Sequence, residues 1–248
     1  MIPVTPLTLQ NEPPLFNGNC RQPGALWLAA HPKEDPHKMS AWWSQFQPDL
    51  ARHFHYRCGW LATSIELGGI VEHWLSCGPR QGTPSPHCQL AFEWTNYRYT
   101  TGVINSLKGT LDNQILDPCE VQPGWFEVLL PSFELVPTDQ IPGQFKARAK
   151  TTVEKLQLRR YKAQFTRWRW YERCWNHGNP DLETLRSDAP LVAAAIEKAR
   201  LAGLPLPDPA ACEPGNVIEQ RQRRFAPRRR KPPNAVPALN PPPNKTPQ

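Results

Sequence analysis

Two stretches decide how this chain reads. Residues 69–74 are Gly-Ile-Val-Glu-His-Trp, and residues 94–109 are Trp-Thr-Asn-Tyr-Arg-Tyr-Thr-Thr-Gly-Val-Ile-Asn-Ser-Leu-Lys-Gly. The first is a short apolar run that ends in an acid and an imidazole, a strand with its chemistry at one end. The second ends in a short helix, within Thr101 to Leu111, that stops near Gly109. Glu72 and His73 are adjacent; Asn96 and Asn105 follow. His73 is a candidate general base near neutral pH. Glu72 can hold a hard cation through oxygen. The asparagine amides can supply a metal oxygen or orient the histidine. Taken one at a time, each residue reads more plainly as structure: a satisfied histidine, a turn asparagine.

Outward from this centre the pattern changes. Residues 1–39, rich in Pro, Asn and Gly, read as an irregular N-terminal arm. Ser40 opens a helix to about Phe54, with Trp42, Trp43, Phe46, Leu50 and Phe54 on one face and Pro48 as a break. Tyr56–Ala62 and Trp125–Leu130 read as further strands. From Pro142 the chain reads as helix, with Phe145, Ala149, Val153, Leu156 and Tyr161 as the apolar stripe. Residues 144–173 hold ten basic side chains against two acids. Among the basic ones, Arg159, Arg160, Arg167 and Arg169 are candidates for nucleic-acid contact, with Trp168 and Trp170 either stacking on bases or filling a core. A last helix runs from a cap at Asp188 to Gly203.

The whole chain of 248 residues carries a formal charge of +7. From Glu219 onward there are eight basic residues against one acid, so residues 1–218 are formally neutral. Eight prolines share that tail, which reads as a disordered basic segment. Arg228, Arg229 and Arg230 make it attractive to polyanions, and its prolines suit a protein partner. No stretch approaches the roughly 18 apolar residues of a membrane span, and no leader pattern opens the chain. Seven cysteines without a Cys-x-x-Cys pair read as free thiols in a reducing cytoplasm.

The ordered set Val71-Glu72-His73-Trp74, Trp94-Thr95-Asn96-Tyr97-Arg98, Asn105-Ser106-Leu107-Lys108-Gly109 and Leu116-Asp117-Pro118 resembles the HNH endonuclease family. The resemblance covers under a third of the chain. It implies a ββα-metal module within residues 40–135, with two strands carrying Glu72-His73 and a helix carrying Asn105. It implies that His73 activates water for attack on a phosphodiester of DNA, with RNA the alternative substrate, and that Glu72 and Asn105 hold one Mg²⁺ or Mn²⁺. Asn96 would fix the loop and orient His73, and Lys108 would touch phosphate. Many family members also bind a structural zinc through two Cys-x-x-Cys pairs. Those positions here are Cys58 and Leu61, then Thr101 and Ile104, so three of four ligands are missing and structural zinc is not expected. A relocated zinc site from Cys58, Cys77, His87 and Cys88 fits no common spacing.

The expectation is therefore an α+β protein. An N-terminal arm (1–39), an HNH-like module (40–135), a basic helical region (136–218) and a disordered tail (219–248) follow in order. The leading function is a metal-dependent DNA endonuclease. The alternatives are an inactive nucleic-acid-binding relative and an interaction protein that uses its Pro-rich tail.

Overall fold

The computed structural model describes residues 1–214 except 67, 80, 81, 177 and 178. The basic tail, with Arg228, Arg229 and Arg230, lies outside the described residues. What is described forms one compact unit, Met1–Pro214, of mixed α+β structure. Among the described residues, no helix is long and apolar enough to cross a membrane.

In chain order the elements are α1 (Gln22–Ala30), α2 (Ala41–Ser44), α3 (Gln47–His53), β1 (Ile70–His73), β2 (Tyr97–Thr100) and α4 (Gly102–Lys108). Then come β3 (Phe126–Leu129), β4 (Glu134–Pro137), α5 (Gly143–Lys155), α6 (Tyr161–Arg173), β5 (Trp175–Asn176), β6 (Asn179–Pro180), α7 (Leu182–Asp188) and α8 (Pro190–Leu201). Each sheet is an antiparallel pair: β1 with β2, β3 with β4, and β5 with β6.

The β1–β2 ribbon organises the rest. Its register sets Val71 opposite Tyr99, Glu72 opposite Arg98, and His73 opposite Tyr97. Paired residues share a face and neighbours along a strand alternate, so the ribbon has two unlike faces. Val71, His73, Tyr97 and Tyr99 face an aromatic cluster of Phe16, Trp43, Phe46, Phe54, Phe92 and Trp94. Glu72, Arg98 and Thr100 face the other way. There Lys108 meets Glu72, Asp117 meets Arg98 and Cys58 meets Thr100. Beyond them lies a second core that includes Trp60, Ile104, Leu116, Phe133, Val153, Trp168, Tyr171 and Ile196.

α4 has seven residues, too few to hold a helix by backbone bonds alone. Thr101 caps it by accepting from the Ile104 N–H at 3.3 Å. Gly109, at φ +46°, ends it in a backbone region that favours glycine. Ile104 and Lys108 bury one side of it. Pro48 divides the expected Ser40–Phe54 helix into α2 and α3, with Pro48 in the first turn of α3.

Four expectations change. The N-terminal arm contains a helix, α1, preceded by a π-helical turn at Asn17–Arg21. Its Gly24 is needed because a Cβ there would lie 2.1 Å from the Phe92 ring. Tyr56–Ala62 is not a strand: His55, Tyr56 and Ala62 have positive φ, and a lone bridge joins Arg57 to Ser64. The basic region breaks between α5 and α6, with Gln157 at φ +54°. Asp188 does not cap the last helix. It closes α7 and accepts from the Ser64 hydroxyl at 2.6 Å, while Pro190 starts α8.

Arg98 and Asp117 are both buried, and the guanidinium meets the carboxylate through Nε and Nη2, with Nε to Oδ1 at 2.6 Å. Removing one partner strands a charge in the interior. Asp117→Ala is expected to lower unfolding free energy by about 3–5 kcal/mol in urea titration, and the Arg98→Met/Asp117→Leu double variant by clearly less.

Candidate functional site

The site grows from the end of β1. Glu72 is 7% exposed, and its Oε1 lies 2.7 Å from Lys108 Nζ. Burial pushes the Glu72 carboxyl up, and the ammonium opposes that shift. Lys108 is itself almost fully enclosed, donating to the His73 carbonyl at 2.8 Å and lying 3.7 Å from Asp112. Its ammonium also sits 5.9 Å from the Trp74 ring centroid. Lys108 therefore points inward, to a position enclosed by oxygens, and not out toward solvent phosphate. Asn105 precedes it by one turn on the same side of α4 and is half-buried.

His73 lies on the opposite face of the ribbon. Its ring is perpendicular to Trp43 at 4.8 Å, to Tyr97 at 5.3 Å and to His37 at 5.5 Å. Its Nε2 lies 3.0 Å from the Ala91 carbonyl. A carbonyl only accepts, so Nε2 carries the hydrogen and Nδ1 keeps the lone pair. Burial pulls the imidazole down to about 4, so the ring is neutral through physiological pH.

Asn96 uses its whole amide. Oδ1 accepts from the Leu75 N–H at 2.8 Å, and Nδ2 donates to the carbonyls of Leu75 and Leu90 at 3.1 and 3.2 Å. It ties the loop after β1 to the turn that carries Ala91, which in turn holds His73. The resemblance implies work of this kind for Asn96.

Two residues were not singled out from the sequence. Asp35 accepts from the His37 backbone N–H at 3.0 Å and from His37 Nδ1 at 2.7 Å. Burial raises the Asp35 carboxyl, but the two His37 bonds outweigh it and hold the group below its usual range. Both residues come from the arm, far from the motif along the chain. The one local signal was Asp-Pro-His, an acid two residues before a histidine.

The positions that the resemblance aligns with zinc ligands make other contacts here. Cys58 Sγ lies 3.3 Å from Thr100 Oγ1 and accepts from the Leu61 N–H at 3.5 Å. Thr101 caps α4 and Ile104 sits in the core. All seven cysteines are free. Burial pushes the Cys77 thiol up to about 12. Among the described residues no group of three or more His, Cys, Asp or Glu side chains is arranged to hold a metal.

The basic candidates divide. Arg167 is buried, donating to the Phe133 and Leu158 carbonyls at 3.1 and 2.9 Å. It cannot touch nucleic acid from there. Trp168 and Trp170 are also buried, and Trp168 Nε1 donates to the Pro209 carbonyl at 2.9 Å. Arg159 is exposed and pairs with Glu134 at 2.9 Å. Arg160 and Arg169 are exposed, with Lys155 and Lys162 beside them. These four have no carboxylate partner among the described residues.

Comparison with family models, with curated proteins and with solved structures returns no match to this chain. The site is therefore read on its own geometry.

The unfolded chain protonates His73 near 6.5, whereas the folded protein does so near 4. Because the native value is depressed, the stabilisation is full above 6.5 and is lost as pH falls toward 4. Unfolding free energy should drop by about 3 kcal/mol across that window. His73→Gln should remove this part of the acid dependence in pH-resolved urea titrations.

Proposed function

We propose that β1, β2 and α4 form an HNH-type ββα module and that the protein hydrolyses phosphodiester bonds in DNA. The observation that carries this is the oxygen-lined Lys108 position at the end of β1, together with the neutral imidazole of fixed tautomer that His73 holds on the opposite face of the same strand. The resemblance in the sequence assigns Glu72 and Asn105 to the metal and His73 to the base.

The cation position fits a hard divalent ion by its chemistry. Glu72, Asp112 and the His73 carbonyl already gather around one positive charge, and Asn105 is one turn back on α4. Glu72 and Asn105 would hold Mg²⁺ or Mn²⁺. Such an ion, when bound, supplies positive charge to the scissile phosphate. The chain's own residues do the rest. Ala91 keeps the His73 Nε2 proton in place, which leaves Nδ1 to accept a proton from water. Asn96 keeps the Ala91 turn and the loop after β1 together. Trp43 and Tyr97 pack against the His73 ring, and the exposed His37 ring is its third ring neighbour. Exposed Arg160, Lys162 and Arg169 would contact the phosphate backbone.

A second reading is a nucleic-acid-binding protein that does not cut. The 2.7 Å contact between Lys108 and Glu72 favours it, because an ammonium there serves the carboxylate without a metal. A protein partner for the Pro-rich tail and a cytoplasmic location are compatible with both readings.

Plasmid nicking with Mg²⁺ or Mn²⁺ separates the two. Wild type is expected to nick, and His73→Gln to slow nicking at least about 100-fold with gel-shift affinity retained. Retained binding with no nicking by wild type would select the second reading. The Arg160→Gln/Lys162→Gln/Arg169→Gln variant should bind DNA more weakly. Its plot of log affinity against log salt should be shallower by about 0.9 for each phosphate that the variant no longer neutralises.

A further inference from the structure

We propose that His37 is a second catalytic histidine, the general acid that protonates the leaving oxygen; this rests on the nuclease reading above. Three rings surround His73. Trp43 and Tyr97 are buried, whereas the His37 side chain is 47% exposed. Of the three, the His37 ring is the one open to solvent.

The His37 ring is held, not loose. Asp35 Oδ1 accepts from both its backbone N–H and its Nδ1. It stands perpendicular to Trp43 at 5.7 Å and to His73 at 5.5 Å. From the loop after β1, Gly78 packs against the ring so closely that a Cβ would lie 3.2 Å from Cε1 and 3.3 Å from Nδ1. With Nδ1–H donated to the carboxylate, Nε2 is the remaining polar atom of a fixed, half-exposed imidazole. The carboxylate holds the Nδ1 side of the ring, so in this role Nε2–H is the proton that is given up.

The step balances with these two rings. The water oxygen bonds to phosphorus as His73 Nδ1 takes a water proton. The bond from phosphorus to the 3′ oxygen breaks, and that oxygen takes the Nε2 proton of His37. The products are a 5′-phosphate and a 3′-hydroxyl. His73 then holds one proton more and His37 one fewer, and exchange with solvent restores both.

Leaving-group dependence tests this. DNA expels an alkoxide that needs a proton, whereas bis(4-nitrophenyl) phosphate expels a nitrophenolate that does not. His37→Gln is expected to cut DNA about 100-fold more slowly while hydrolysing the nitrophenyl diester within about twofold of wild type. Asp35→Asn should show the same selective loss at about tenfold, as a positioning residue acting through His37. Thermal unfolding of both variants should match wild type, because the pair is partly exposed. Equal slowing on both substrates, or unchanged DNA cutting, would overturn the role of His37 and leave the nuclease reading intact. Wild type inactive on both substrates would remove the nuclease reading itself, and this proposal with it.

Discussion

The enclosed ammonium of Lys108 is the interaction on which the centre of this protein depends. It joins β1 to α4 through Glu72, reaches back to the His73 carbonyl and lies close to Asp112. A lone charge at that depth would be strongly unfavourable. The surrounding oxygens offset that cost, and in doing so they fix the angle between strand and helix. A seven-residue helix with one cap needs such an anchor.

The second buried ion pair, Arg98 with Asp117, works on the same face of the ribbon. Between them the two pairs make one side of β1–β2 polar and specific, while the other side packs aromatic rings. That division gives the ribbon a defined place between the two cores without a metal or a disulfide among the contacts described. Cys58 meets Thr100 on β2, and Thr101 caps α4 just after it.

The same division separates Glu72 from His73. They are adjacent in sequence, yet the strand turns one toward α4 and the other toward Trp43. A histidine among rings, with its Nε2 proton held by Ala91, is a base of fixed tautomer. A carboxylate against an ammonium is a cation site. The arm closes over the junction between them, and it is from the arm that Asp35 and His37 come.

Much of this was legible in the residues themselves. The run at 69–74, the helix ending at Gly109 and the break at Pro48 follow from local rules of periodicity, capping and ring geometry. What lay outside reach was everything set by contacts between distant segments. Sequence periodicity did not reveal that Arg167 turns inward, because an arginine on a basic helix reads as surface until the Phe133 and Leu158 carbonyls are placed beside it. Nor did it reveal that Lys108 points at Glu72, or that His37 stands over His73. The sequence by itself determined which short elements form and where they stop, since those depend on neighbours a few residues apart. Only the tertiary structure decided which charges are buried and paired, because burial is a property of the packed chain and not of any one segment.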